Sequence, residues 1–72
     1  MMPENPFTPG TQAYFLYEHL CIHRAVTTKE MHNYLRVDTA RIRDCRKYLK
    51  AYGFNIYCKY LEPGNRLYEV RP

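Results

Sequence analysis

The stretch at residues 27–56 reads TTKEMHNYLRVDTARIRDCRKYLKAYGFNI and contains the signals that decide the fold. Thr27 and Glu30 have the spacing of a capping box, in which each side chain bonds the backbone N–H of the other residue. The box predicts a helix from Thr28 to about Leu35. Its predicted inner face consists of Met31, Tyr34 and Leu35.

A second helix start lies further along the same stretch. Asp38 is a favourable N-cap residue, and it predicts a helix from about Thr39 to Tyr52. Apolar residues recur in this segment at helical spacing, so they share one face. The predicted inner face consists of Ile42, Cys45, Leu49 and Tyr52. Gly53 then suits the left-handed conformation that commonly ends a helix.

The sequence before this stretch predicts one more helix and an N-terminal arm. A helix is predicted from about Thr11 to Cys21, with an apolar stripe of Ala13, Leu16, Tyr17 and Leu20. Residues 1–10 are rich in proline and are expected to form a flexible arm, with Phe7 a candidate to pack back onto the domain. Residues 11–72 are expected to form a single domain, because the chain is only 72 residues long.

The sequence after the stretch predicts a β-hairpin. Residues 55–61 (NIYCKYL) and 66–70 (RLYEV) are rich in residues that favour strands. They flank Glu62-Pro63-Gly64-Asn65, which suits a type II turn because glycine supplies the positive φ at its third position. Residues 25–27 (AVT) are predicted to be only a short extended link between the first two helices.

The composition indicates the charge of a favourable partner and the cellular compartment of the protein. The net charge is +4, which favours a polyanionic partner. Three cysteines make an odd number with no close pair, which argues against a disulfide framework and for a reducing, cytoplasmic compartment. Neither a secretory leader nor a membrane span is expected, because no apolar run is long enough.

The predicted order is helix, link, helix, tight turn, helix, hairpin, and it resembles the winged helix-turn-helix superfamily. Leu35-Arg36-Val37-Asp38 is similar to the end of the positioning helix and the turn, and Gly53-Phe54-Asn55-Ile56 to the exit into the wing. Val37, Ile42, Cys45 and Leu49 also stand where such domains place core residues. The resemblance implies an α+β fold of three helices followed by a two-stranded antiparallel wing, and binding to double-stranded DNA.

Four shorter matches resemble small helix-turn-helix proteins of bacteriophages and prophages. They are Thr11-Gln12, the segment at residues 27–31 (TTKEM), Arg41-Ile42 and Tyr68-Glu69-Val70. This resemblance implies a sequence-specific transcriptional regulator or accessory factor of a phage or mobile element, working in the bacterial cytoplasm. A single recognition helix reads few base pairs, so a homodimer on two half-sites is expected.

The candidate DNA-binding residues follow from the same resemblance. They are Thr39, Arg41, Arg43, Asp44, Lys47 and Lys50 of the third helix, Lys29 of the second helix, and Lys59, Asn65 and Arg66 of the wing. Arg43 is the predicted base reader, because a guanidinium bonds guanine O6 and N7 together. Thr39, Lys47 and Lys50 are expected on phosphates.

Two of these residues have further interpretations. Asp44 either accepts from cytosine N4 or pairs with Arg41 or Lys47. Lys29, with the free N–H groups at the start of its helix, suits a phosphate. The alternative for the basic helix as a whole is an ordinary solvated surface, because amphipathic helices usually direct Lys and Arg outward.

Other functional classes receive less support. No nucleophile with a base, phosphate loop or carboxylate pair is found, so neither an enzyme nor a cofactor is predicted. The His and Cys residues lack metal-ligand spacing, and Cys45 and Cys58 are predicted to be small buried residues.

The eight tyrosines suggest one alternative function. Aromatic residues are enriched in protein interfaces, so the chain would be a protein-binding module that inhibits a host enzyme or regulator. Tyr17, Tyr34, Tyr52 and Tyr68 are assigned to the core, and Tyr14, Tyr48, Tyr57 and Tyr60 are freer.

Overall fold

The chain forms three helical elements and three strands in a computed structural model that describes residues 2–72. In chain order the elements are α1 (Gln12–His23), β1 (Ala25–Thr27), a π-helix (Glu30–Leu35), α2 (Arg41–Lys50), β2 (Asn55–Glu62) and β3 (Asn65–Arg71). The strands form an antiparallel sheet in the order β1-β3-β2. Within the described residues the fold is therefore α+β, with three helical elements and three strands, and the predicted class is confirmed at this level.

Side chains accept hydrogen bonds from free backbone N–H groups at, or just before, the start of each helical element. Thr11 accepts from the N–H of Tyr14 at 3.3 Å and begins α1. The predicted capping box is confirmed: Glu30 accepts from the N–H of Thr27 at 2.8 Å, and Thr27 accepts from that of Glu30 at 3.1 Å. Asp38 accepts from the N–H of Ala40 at 2.8 Å, just before α2.

The second helical element has π-helical rather than α-helical geometry. Its i→i+5 hydrogen bonds widen each turn, so a residue three positions after Met31 no longer returns to the buried face. The prediction that Tyr34 packs inward is wrong for this reason, and its exposed fraction is 76%. Arg36 ends the element in the left-handed region at φ 58°, and its N–H donates to the carbonyl of Met31.

The predicted link at residues 25–27 is a third strand. Ala25, Val26 and Thr27 pair with Glu69, Tyr68 and Leu67 of β3, so the hairpin strand β3 lies in the centre of the sheet. A three-residue extended segment carries no local sign of this, because its partners lie about 40 residues away along the chain. In the hairpin, Gly64 has φ 78°, as the predicted turn requires, and a register shift separates Tyr60 from Glu62.

One apolar core joins the helices to one face of the sheet. It contains Leu16, Tyr17, Leu20, Val26, Met31, Val37, Ile42, Cys45, Leu49, Ile56 and Val70. Besides Tyr34, the predicted core residues Tyr52 and Cys58 lie outside it. Tyr52 is 58% exposed because α2 has ended before it, and Cys58 is exposed on β2.

Residues 2–7, part of the predicted arm, lie against α1 and α2; Met1, its first residue, lies outside the described residues. The Tyr17 hydroxyl donates to the carbonyl of Pro3 at 2.5 Å, and the Tyr48 hydroxyl donates to that of Glu4 at 2.6 Å. Phe7 packs against the core, as predicted, with its ring centroid 6.0 Å from that of Tyr17. Two hydroxyls and one ring thus hold the segment in place.

Candidate nucleic-acid interface

The positive charge of the chain is concentrated on α2. The helix contains five Lys and Arg residues and one Asp, which gives it a net charge of +4. Six Lys and Arg residues and six carboxylates make up the rest of the chain and cancel, so α2 accounts for the whole net charge. This concentration could have been found from the sequence once the helix bounds were known.

Packing directs these cations to the solvent side of α2. Ile42, Cys45 and Leu49 are buried in the core and fix the inner face. At 100° per residue the opposite face is centred near Lys47. The exposed cations of the helix are Arg43, Arg46, Lys47 and Lys50. The helix therefore presents a continuous basic surface, which is what a duplex phosphate backbone attracts.

Asp44, the one carboxylate of α2, is held by a neighbouring cation. Its Oδ2 lies 3.0 Å from the Arg41 guanidinium, one helical turn earlier. Of the two alternatives for Asp44, the structure shows pairing with Arg41. Both side chains are about 40% exposed, so the pair contributes little stability, but it neutralises the acid beside the basic surface.

Arg46 connects the basic helix to the sheet. Its guanidinium donates to the carbonyl of Ile56 in β2 at 3.2 Å. Between the start of α2 and the sheet lies a concave surface of about 380 Å³, lined by Asp38, Thr39, Ala40, Ile42, Arg43, Arg46 and Tyr68. Arg46 was missed as a functional candidate, because its contact is with a residue that the helix pattern alone does not place.

The hairpin presents different side chains on its two faces. Tyr60 pairs with Arg66 on the face that also bears the buried pair Ile56 and Val70, so both lie on the helix side of the sheet. Lys59 pairs with Leu67 on the opposite face. Of the predicted wing cations, Arg66 therefore shares a side with α2 and Lys59 does not. Tyr60 joins Arg66 and was not predicted at the site.

Asn65, a predicted DNA contact, is buried, with 8% of its surface exposed. Its Oδ1 accepts from the N–H of Lys29 at 3.1 Å, and its Nδ2 donates to Glu62 at 3.2 Å. The Thr28 hydroxyl accepts from the N–H of Arg66 at 3.1 Å beside it. The hairpin turn is thus attached to the start of the second helical element.

The same contacts change the interpretation of Lys29. Its Nζ lies 2.8 Å from the Glu62 carboxylate, which lowers the pKa of Glu62 by hydrogen bonding and charge. Its own N–H is bonded to Asn65, and that of Glu30 is bonded to Thr27. The predicted phosphate site at this helix start is therefore occupied by the protein's own side chains.

Among the described residues, the cysteines and histidines show no arrangement typical of metal binding. Among residues 2–72 no group of three or more His, Cys, Asp or Glu side chains could hold a metal ion. Burial raises the pKa of the Cys45 thiol to about 12, so it is neutral at physiological pH. In the same part of the chain no helix is long and apolar enough to cross a membrane.

Comparison with protein-family models, with curated proteins and with solved structures finds no match. The function is therefore inferred from the surface of α2 and its surroundings.

Proposed function

We propose that this chain is a winged helix-turn-helix domain that binds double-stranded DNA in a sequence-specific way and has no catalytic activity. The observation that supports this most strongly is the net charge of +4 on α2, equal to that of the whole chain, on a helix whose cations face solvent. An α-helix fits the major groove of B-DNA, where its exposed side chains meet base edges and phosphates.

The order of elements also supports the proposal. The π-helix and α2 are separated by residues 36–40 and followed by the β2–β3 hairpin, as the winged-helix resemblance implies. In this assignment α2 is the recognition helix, and the hairpin is the wing. β1 pairs with β3, and Asn65 attaches the hairpin turn to the backbone of Lys29. The wing is therefore held in place both along β3 and at its tip.

Each side chain at the interface has a proposed role. Arg43 reads a base, because it lies on the exposed side of α2 near its start. Thr39, Lys47 and Lys50 bind phosphates and fix the register. Arg66 and Tyr60 meet the backbone next to the groove, on the helix side of the wing. We further propose a homodimer that regulates a phage or mobile element, as the closer resemblance implies.

Salt dependence tests this proposal. The affinity for duplex DNA should fall steeply between about 50 and 200 mM salt. The logarithm of the affinity should fall with the logarithm of the salt concentration, with a slope of about −0.9 per phosphate contacted.

Lys47→Ala should weaken binding to every sequence and reduce the magnitude of that slope by about one, whereas Arg43→Ala should relax sequence preference. Lys59→Ala removes the same charge from the far face of the hairpin and is the matched control. Parental binding by both α2 variants would contradict the proposal.

One observation favours a second candidate, a protein-binding module. Tyr57 and Leu61 are exposed on β2, an edge strand of the sheet, and aromatic residues are enriched in protein interfaces. A module of this kind would inhibit a host enzyme or regulator. Binding through this surface should change little with salt, which distinguishes it from binding to DNA.

A further inference from the structure

A second concave surface lies at the C-terminal end of α2, away from the basic face. It is open to solvent, has a volume of about 540 Å³ and is lined by Met2, Pro3, Glu4, Tyr48, Tyr52 and Phe54. Tyr48 lies about 100° or more around α2 from Arg43, Lys47 and Lys50, and no Lys or Arg is among the described lining residues. The cavity is therefore distinct from the proposed DNA interface.

Aromatic side chains provide much of the wall. The rings of Tyr48 and Tyr52 have centroids 5.1 Å apart and are inclined by 54°, and Phe54 lies beside them. Tyr52 remains 58% exposed, so its ring is open to a ligand. Aromatic rings attract cations through their quadrupole, and several rings around one space form the usual receptor for a quaternary ammonium group.

Two further features make the cavity favourable for positive charge. Glu4 is the one charged side chain among the described lining residues, and it is exposed. The cavity also adjoins the C-terminal end of α2, where the helix dipole favours cations; Lys47 and Lys50 already lie in this last turn, so the Glu4 carboxylate is the group that would offset the charge of a bound cation. The Tyr48 hydroxyl donates to the Glu4 carbonyl at 2.6 Å, so the ring and the acidic residue are held together.

We propose that this cavity binds an organic cation, an alkylammonium group, between Tyr48, Tyr52, Phe54 and the Glu4 carboxylate. The three aromatic rings would contact the methyl or methylene groups, and the carboxylate would neutralise the charge. The same chemistry is carried by a lysine side chain of a protein partner and by a small quaternary ammonium compound. This inference is independent of DNA binding.

The test is an NMR titration of the full chain with tetramethylammonium chloride, against sodium chloride at equal ionic strength. We expect saturable shifts confined to Tyr48, Tyr52, Phe54 and the residues around Glu4. Tyr52→Ala should weaken binding by about 2- to 30-fold, the range expected for one cation–π contact. Tyr34→Ala removes a more exposed tyrosine outside the cavity and should leave binding unchanged.

Glu4→Gln provides a second test that does not depend on packing, because Glu4 is exposed. It should also weaken binding of tetramethylammonium. Titrations with choline and with a trimethyl-lysine peptide then distinguish a small compound from a protein side chain, according to which binds more tightly. Shifts that match those of sodium chloride, or parental affinity in Glu4→Gln and Tyr52→Ala, would overturn the proposal.

Discussion

Asn65 occupies the one buried polar position among the described residues, at the turn of the hairpin. Its amide joins the backbone of Lys29 to the carboxylate of Glu62, which is itself paired with the Lys29 ammonium. One side chain thus connects the hairpin to the second helical element and uses groups that would otherwise be free to contact DNA. The surface available for DNA contact is reduced accordingly to α2 and the helix side of the hairpin.

Replacing Asn65 with alanine should destabilise the protein by about 1–3 kcal/mol, the usual result of leaving a buried hydrogen-bonding group without its partner. The free energy of unfolding, measured by urea denaturation, checks this. Asn33→Ala removes an exposed amide from the π-helix and should leave stability nearly unchanged. Equal stability of the two variants would show that the attachment at Asn65 is unimportant.

His19 is expected to make the stability of the protein depend on pH. Its Nε2 is buried without a hydrogen-bond partner in the described part of the chain, and its ring centroid lies 4.5 Å from that of His23. Burial, and secondarily the charge of His23, lower the pKa of His19 below its usual 6.5. The unfolded chain therefore binds the proton more readily, and stability present above pH 6.5 is lost as the pH falls below it.

We expect the free energy of unfolding to decrease between pH 7.5 and pH 5 in the parent and to decrease less in His19→Gln. Urea denaturation at several pH values measures both slopes. His32→Gln replaces an exposed histidine of the π-helix and should keep the parental slope. A parental slope in His19→Gln would mean that other groups cause the dependence.

Some helices, strands and turns are determined by their own residues, and others depend on contacts with distant parts of the chain. Thr11, the Thr27–Glu30 box, Asp38 and Gly64 act through neighbours within four residues, so their helix starts and turn were predictable from the sequence. β1 was not, because it becomes a strand only by pairing with the distant β3. The exposure of Tyr34 depends on a π-helical geometry for which the periodicity of apolar residues gives no signal.

The residues of the candidate site also divide into those that could be predicted from the sequence and those that could not. The basic face of α2 follows from the helical pattern, so Arg43, Lys47 and Lys50 could be assigned to it from the sequence. Asn65 could not be placed, because its partner is the backbone of Lys29, 36 residues earlier. Arg46 was missed for a similar reason, since its partner is the carbonyl of Ile56 in the sheet.

The capping box at the start of the π-helix should contribute to the stability of the protein. Glu30→Ala should cost about 1 kcal/mol, because the Thr27 N–H loses its acceptor, whereas Glu30→Gln should cost less because an amide oxygen still accepts. Urea denaturation gives both values. If Glu30→Gln were as unstable as Glu30→Ala, the hydrogen bond would not be the source of the effect.

Two chemically different surfaces, one basic and one aromatic, lie on different parts of the molecule. α2 has the charge on its solvent side, while its C-terminal end and residues 2–4 form an aromatic cavity with one carboxylate. The rest of the chain has no net charge. A polyanion and an organic cation could therefore bind at the same time without competing for residues.

Recognition of duplex DNA by α2 is tested by selection from a pool of random duplexes, using the full chain at two salt concentrations, followed by sequencing of the bound fraction. If α2 binds DNA as proposed, we expect an enriched motif at low salt and loss of binding at high salt, because the contacts are made by cations. Absence of both enrichment and salt-sensitive binding would show that α2 does not recognise duplex DNA.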